Sequence, residues 1–165
     1  MAHNTSNPLI YAVSYDDINE FHSFIKEFKS RDDVFKQHAD FLCEKIISDK
    51  NFFESFDFFV FIPSLSSVRT NYSLKLAEYV SGKLNKPLNR EILKKVRLTK
   101  ELKTLPRQER GKEIENSFRA ELSGGERICV IDDVFASGAT LNEVSKVLKS
   151  AGASFVCSAV AALYI

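Results

Sequence analysis

The chain has 165 residues, of which 44% are hydrophobic and 27% charged, and its formal net charge is +1 at pH 7. These values fit one globular domain with a full hydrophobic core, and they exclude binding to nucleic acids or membranes through overall charge. The spacing of its three cysteines, Cys43, Cys129 and Cys157, is not that of a disulfide framework or a zinc site, which favours a cytoplasmic location. Residues 1–10 lack a signal-peptide pattern, and no apolar run is long enough to span a membrane.

Apolar spacing predicts the elements in the first half of the chain. A strand is predicted at Leu9–Tyr15. A helix packed on a core is predicted from the spacing of Phe35, Ala39, Leu42 and Ile46. The aromatic and β-branched run Phe56–Ile62, which ends at Pro63, indicates a buried strand. The next helix is predicted from an apolar face that contains Leu74, Ala77, Val80 and Leu84.

The second half continues the alternation of helices and strands. The stretch Lys94–Arg110 has no clean period and contains seven Lys or Arg residues and two Glu residues, which indicates a mobile basic loop. A buried strand is predicted at Arg127–Ile131, and a last strand at residues 154–165. The helix between them is predicted from Leu141, Val144, Val147 and Leu148. This order predicts a Rossmann-like α/β fold, in which helices flank a parallel sheet, in a single domain spanning residues 1–165.

Two adjacent acidic residues, Asp132 and Asp133, follow the predicted strand Arg127–Ile131. Ligands of parallel α/β sheets bind at the carboxyl ends of the strands, so both carboxylates are expected to face a ligand. Carboxylates accept hydrogen bonds from neighbouring hydroxyl groups such as those of a ribose. Taken alone, the acidic pair is also typical of helix-capping residues or of residues that face solvent.

A loop of small residues comes next, formed by Ala136, Ser137, Gly138, Ala139 and Thr140. The backbone N–H groups of such a loop, at the start of a helix, are expected to hold a phosphate, and the hydroxyls of Ser137 and Thr140 add donors. Small side chains allow the phosphate to approach the backbone, and glycine at position 138 permits unusual backbone angles. Alone, this loop is also typical of an ordinary helix-starting turn. The acidic pair and the loop together predict a site for a ribose 5-phosphate group.

The segment Cys129–Leu141 resembles the signature of type I phosphoribosyltransferases, which binds 5-phosphoribosyl-1-pyrophosphate (PRPP). The resemblance implies that Asp132 and Asp133 contact the ribose 2′- and 3′-hydroxyls and that residues 136–140 bind the 5′-phosphate. Ala136 stands where the family commonly has threonine.

A longer segment is similar to ComF-type phosphoribosyltransferase-like proteins. Within Arg97–Phe118 the matching residues are Arg97, Thr99, Leu105, Glu109, Arg110, Ile114 and Phe118, and upstream they are Pro63, Asn71, Leu76 and Ala77. The sequence departs from that pattern at Leu102 and Glu113, where the family usually has Gln and Asn, and it does not contain the four-cysteine zinc module of many ComF proteins.

The resemblance implies a glycosyltransferase reaction, in which a nitrogen nucleophile replaces pyrophosphate at C1 of PRPP. It implies Mg²⁺ as cofactor, held mainly by the ligand and through water by Asp132 or Asp133. Residues 63–70 would form a pyrophosphate loop with Ser66, Ser67 and Arg69 as donors, and Arg110 would assist catalysis when the basic loop closes. Without the resemblance, the favoured interpretation of Arg69 is a solvated loop residue.

The acceptor is left open by the sequence. Phosphoribosyltransferases recognise it with a hood, which is expected to be minimal or absent here. The acceptor site is therefore expected to be small, completed by a second copy or a partner protein, or missing. Three hypotheses therefore stand: a phosphoribosyltransferase, a catalytically silent PRPP- or nucleotide-binding regulator, and a ComF-like accessory protein in DNA uptake that contacts single-stranded DNA through the basic stretch Lys94–Arg110.

Overall fold

A computed structural model of the chain describes residues 7–165, so most of the segment considered above for a signal pattern lies outside the described residues. The first half contains β1 (Leu9–Tyr15), α1 (Ile18–Ser30), α2 (Asp32–Ser48), α3 (Lys50–Glu54), β2 (Phe58–Phe61) and α4 (Tyr72–Leu84). The second half contains β3 (Leu93–Lys95), a 3₁₀ turn (Leu102–Thr104), α5 (Arg107–Ile114), β4 (Phe118–Ala120), β5 (Arg127–Phe135), α6 (Ala139–Ser150) and β6 (Phe155–Tyr164).

The main sheet has the strand order β1-β6-β5-β2, and all of its neighbouring strands are parallel. A separate antiparallel pair is formed by β3 and β4. The predicted α/β fold with helices on a parallel sheet is therefore confirmed. No helix within residues 7–165 is long and apolar enough to cross a membrane. The cytoplasmic location stays a prediction.

Helices cover both faces of the main sheet. Along β5, Cys129 and Ile131 belong to the core formed with α1, α2 and α4, whereas Ile128 and Val130 belong to the core formed with α5 and α6. This alternation follows from the two-residue period of a strand. Both cores are apolar, as expected for parallel strands that are buried on each side.

Strand β5 is longer than the sequence predicted. Its pairing with β2 ends at Ile131, but its pairing with β6 continues through Asp132, Val134 and Phe135. The acidic pair therefore lies within the strand, not after it. Because β2 has already ended, this last part of β5 has an open side, where a cleft forms.

The basic stretch Lys94–Arg110 is not one continuous loop, so that prediction was wrong. It includes the end of β3, the 3₁₀ turn and the start of α5. The Arg97 guanidinium donates to the carbonyl oxygens of Glu113 at 2.5 Å and Glu115 at 2.9 Å, and the Lys100 N–H donates to Glu113 Oε1 at 2.9 Å. These bonds attach the stretch to the end of α5.

Candidate functional site

A cleft of about 420 Å³ lies at the carboxyl ends of β2 and β5. Its first wall is the loop that follows β2, and its second is the end of β5 with the start of α6. The third wall comes from β3, β4 and the segment between them, and Lys29 of α1 also lines the cleft. The cleft therefore lies at the place where ligands of parallel sheets bind.

The acidic pair lines this cleft together. The Asp133 N–H donates to Asp132 Oδ1 at 2.9 Å, and the Val134 N–H donates to Asp133 Oδ1 at 3.0 Å. Burial and the adjacent charge of Asp133 raise the pKa of Asp132 well above its usual value. Lys29 forms an ion pair with Asp133, and its charge opposes this rise in the pKa of Asp132. The arrangement places two oxygen acceptors side by side, as recognition of adjacent hydroxyl groups requires.

The small-residue loop leads directly into α6. Gly138 is the N-cap of this helix and has φ of +75°. A Cβ atom at this position would lie 2.7 Å from Cζ of Phe135, so glycine is required both by the backbone conformation and by the packing. A glycine N-cap has no side chain to accept from the first-turn N–H groups, so helix α6 keeps donors for an anion.

The structure separates the residues of this loop by their position. Thr140 lines the cleft, whereas Ala136, Ser137, Gly138 and Ala139 lie beside it and are not among its lining residues. The Ser137 hydroxyl is 3.4 Å from the Ala139 N–H, which donates to it. Of the two hydroxyls predicted to contact the phosphate, only that of Thr140 therefore belongs to a residue that lines the cleft.

The loop that follows β2 is fixed at its base by two residues of the α4 start. Asn71 caps α4 by accepting from the Leu74 N–H at 3.1 Å, and its amide donates to the Ile62 carbonyl at 3.0 Å. The buried Ser73 hydroxyl accepts from the Ile62 N–H at 2.8 Å and donates to the Ile131 carbonyl at 2.7 Å. These four bonds connect β2, α4 and β5 and fix where the loop begins and ends.

Within that loop, Ser66 and Arg69 line the cleft, and Ser67 does not. The Arg69 guanidinium forms a short ion pair with Glu101, which belongs to the third wall and also pairs with Lys103 at 3.1 Å. The side chain proposed to bind pyrophosphate is thus held by a carboxylate across the cleft.

The structure does not bring Arg110 to the cleft. Its Nε donates to the Leu105 carbonyl at 3.1 Å, and the residue lies outside the cleft lining. The reason is local: Arg110 is on α5, and it closes the turn that leads into this helix. The catalytic role expected for Arg110 would require α5 or its turn to move.

Three charged residues of the cleft, Lys29, Lys95 and Glu101, were not predicted from the sequence, and Lys100 of the basic stretch also lines the cleft. Lys29 comes from α1, a helix that the sequence analysis did not identify, although Phe21, Phe24 and Phe28 have helical spacing and are buried. Lys95 and Glu101 are in the basic stretch, where several other charges are exposed. In the sequence, nothing distinguishes Lys95 and Glu101 from the solvated charged residues beside them.

The acidic side chains of the cleft are its candidate metal ligands. Within residues 7–165 no group of three or more His, Cys, Asp or Glu side chains could hold a metal ion. The carboxylates of Asp132 and Asp133 are hard oxygen donors of the kind Mg²⁺ prefers, so they fit an ion whose other ligands are phosphate oxygens and water.

Comparison with known proteins gives a sequence relative for part of the chain. No protein-family model matches the chain. Over 81 residues it is 33% identical to "Competence protein F" of Haemophilus influenzae strain Rd, an alignment that covers 47% of this chain and 35% of that protein. The chain thus spans about a third of the length of this curated relative.

Two solved structures are similar in backbone course. One is a UMP synthase of Leishmania donovani, with a TM-score of 0.48, 21% identity, and coverage of 82% of this chain and 24% of that chain. The other is a protein of Thermus thermophilus, with a TM-score of 0.44, 17% identity, and coverage of 74% of this chain and 71% of that chain.

Proposed function

We propose that the chain binds a 5-phosphoribosyl ligand, PRPP in the first place, together with Mg²⁺, and transfers phosphoribose to an acceptor. The single observation that supports this proposal most is that Asp132, Asp133 and Thr140 line the same cleft as Ser66 and Arg69. Residues suited to binding a ribose, a phosphate and a second anion therefore line the same cleft.

Each group of residues has a distinct role in this proposal. Asp132 and Asp133 accept hydrogen bonds from the ribose hydroxyls, and the first turn of α6 with Thr140 holds the 5′-phosphate. Arg69 binds the pyrophosphate after leaving Glu101. Bound Mg²⁺ would add positive charge beside the phosphate oxygens. Transfer then depends on position and charge, since the protein needs no covalent step of its own.

Isothermal titration calorimetry with matched ligands tests the binding part of this proposal. Ribose 5-phosphate is expected to bind more tightly than either ribose or inorganic phosphate, because it fills both subsites, and PRPP is expected to gain affinity when Mg²⁺ is added. If phosphate and ribose 5-phosphate bind equally well, the ribose subsite is wrongly assigned.

A catalytically silent regulator is the second candidate, and the positions of two arginines favour it. Arg69 is paired with Glu101, and Arg110 is bonded to the Leu105 carbonyl outside the cleft. A regulator of this kind would bind PRPP and release no pyrophosphate with any acceptor. A coupled assay of pyrophosphate release over a panel of nitrogen bases separates the two candidates.

A ComF-like accessory role in DNA uptake is the third candidate, favoured by the 33% identity with the Haemophilus protein. In this case the basic stretch Lys94–Arg110 would contact single-stranded DNA. Fluorescence anisotropy with a labelled oligonucleotide at several salt concentrations tests this role, because phosphate contacts give an affinity that falls steeply with salt. A second copy or another protein that completes the acceptor site belongs to the first candidate, the transferase.

A further inference from the structure

The third wall of the cleft differs chemically from the other two. Four apolar side chains, Leu98, Leu102, Ile114 and Phe118, lie there beside Lys95 and Thr99, and the wall also contains the exposed residues Lys100 and Glu101. Ile114 and Phe118 are buried, Leu102 is half-buried and Leu98 is largely exposed. The wall therefore offers an apolar surface that extends from the interior to the mouth of the cleft.

Lys95 is the polar centre of this wall. Its ammonium donates to Thr99 Oγ1 at 2.9 Å and lies 5.8 Å from the ring centroid of Phe118. Burial, and after it the charge of Arg97, lowers the pKa of Lys95 from its ordinary value. The ammonium thus lies partly removed from water and against an aromatic ring.

The charge on Lys95 is not balanced by an acidic side chain in contact with it. The cleft cations Lys29 and Arg69 are each paired with a carboxylate, but none of the ion pairs among residues 7–165 includes Lys95 or Lys100, of which Lys100 is exposed and Lys95 half-buried. An anionic group of a bound ligand would therefore stabilise the charged ammonium of Lys95.

The apolar surroundings restrict which anion fits. A pyrophosphate carries several charges and needs many N–H donors, of the kind that the Arg69 guanidinium provides on the first wall. A planar ring with one carboxylate instead buries its faces against Leu98, Leu102 and Phe118 and presents a single charge to Lys95.

We propose that this third wall is the acceptor subsite and that it takes a planar heterocycle carrying one negative charge, which Lys95 and Thr99 hold. The identification of the ring as an acceptor rests on the proposed function, whereas its binding to this wall does not. Lys95 thereby determines specificity, because it distinguishes an anionic ring from its neutral amide.

Nicotinate and nicotinamide are suitable probes, since they share one ring and differ in charge. Saturation-transfer NMR titrations are carried out with each probe, in the presence and absence of ribose 5-phosphate. Nicotinate is expected to bind at least about fivefold more tightly than nicotinamide, which corresponds to about 1 kcal/mol for a charge-assisted hydrogen bond in a partly exposed site.

Three variants make the test specific. Lys95→Met keeps most of the aliphatic stem and is expected to reduce the nicotinate preference to about one, while Lys95→Arg retains part of it. Lys94→Met is the matched control: Lys94 is exposed, lies outside the cleft lining and, as the preceding strand residue, points to the other face. Thermal unfolding of each variant verifies that the fold is kept.

The outcomes separate this inference from the proposed function. Equal binding of the two probes to the wild type, no detectable nicotinate binding, or an unchanged preference in Lys95→Met would overturn the acceptor subsite. So would a Lys95→Met variant that loses affinity for inorganic pyrophosphate and keeps its affinity for nicotinate. Failure of ribose 5-phosphate to bind would instead contradict the proposed function, and the nicotinate preference measured without it would still stand.

Discussion

Lys29, in the last turn of α1, places its ammonium 2.5 Å from Oδ2 of Asp133 on β5. The Asp133 side chain is 14% exposed and that of Lys29 is 38% exposed, so the pair lies at the edge of the cleft and not in free solvent. Two adjacent carboxylates repel each other, and a cation at this distance offsets part of that repulsion. α1 therefore supplies a positive charge in contact with the acidic pair.

Replacing Lys29 with methionine should weaken ligand binding. Without the ammonium, Asp133 is not held toward the cleft and its charge beside Asp132 is not balanced. We expect the affinity for ribose 5-phosphate, measured by calorimetry, to fall by about three- to tenfold, or about 1 kcal/mol. Lys29→Arg should restore most of it. Lys26→Met, on an exposed position of the same helix, should change nothing, and unchanged or tighter binding by Lys29→Met would contradict the role given to Lys29.

Asp132→Asn should stabilise the protein at neutral pH. Because the pKa of Asp132 is raised in the folded state, the folded protein binds this proton more tightly, and its stability falls as pH rises through that pKa. Asparagine removes this cost and can still accept from the Asp133 N–H. We expect the Tm to rise at pH 7, by about 2–4 °C for each kcal/mol gained.

The pH dependence provides the control for this prediction. The gain should shrink toward about pH 3, below the unfolded pKa of an aspartate, because the wild-type side chain is then neutral in both states. Asp133→Asn should give no increase, since it removes the ion pair with Lys29. A lower Tm for Asp132→Asn at pH 7 would mean that the ionised carboxylate is well compensated.

Gly138→Ala should destabilise the fold. The left-handed backbone costs a non-glycine residue about 1–2 kcal/mol, and the new Cβ would meet the Phe135 ring at 2.7 Å. Gly82→Ala is the matched comparison, because Gly82 is in α4 and a Cβ there meets nothing within 4 Å. It should stabilise the protein by about 0.5–1 kcal/mol. Differential scanning calorimetry should show Tm shifts of opposite sign, and a Tm for Gly138→Ala equal to or above that of the wild type would contradict the conformation assigned to Gly138.

Glu101→Gln should make Arg69 available to an anion. The ion pair is well exposed, so its loss should leave the Tm nearly unchanged. We expect inorganic pyrophosphate to bind about threefold more tightly in a calorimetric titration, since Arg69 no longer has to leave a carboxylate. Glu78→Gln breaks a similar exposed pair, with Arg90, and is the control. Equal pyrophosphate affinity in Glu101→Gln and the wild type would exclude Arg69 from the site.

The elements that local patterns determine were predicted well. β1 occupies the predicted residues Leu9–Tyr15, and the predicted apolar stripe of α2 is buried. α1 was not identified, although its spaced phenylalanines contain the necessary signal. The end of β5 was misplaced at Ile131, because two acidic residues look like the end of a strand, whereas pairing with β6 carries the strand to Phe135.

The candidate site was predictable only as far as one motif describes it. Asp132, Asp133 and Thr140 are close in sequence, and the structure keeps them together in the cleft. Lys29 and Lys95 reach the same cleft from distant elements, so their positions depend on how α1 and the β3–β4 pair pack on the sheet. Local spacing contains no information on such contacts.

The most direct test of the ribose assignment is the affinity of the Asp132→Asn, Asp133→Asn double variant for ribose 5-phosphate, measured by calorimetry beside the wild type. Both amides keep the size of the side chains and remove the charges that accept the ribose hydroxyls. We expect binding at least about tenfold weaker, a difference of about 1.4 kcal/mol, in a variant that unfolds cooperatively. A double variant that binds ribose 5-phosphate as tightly as the wild type would contradict the assignment.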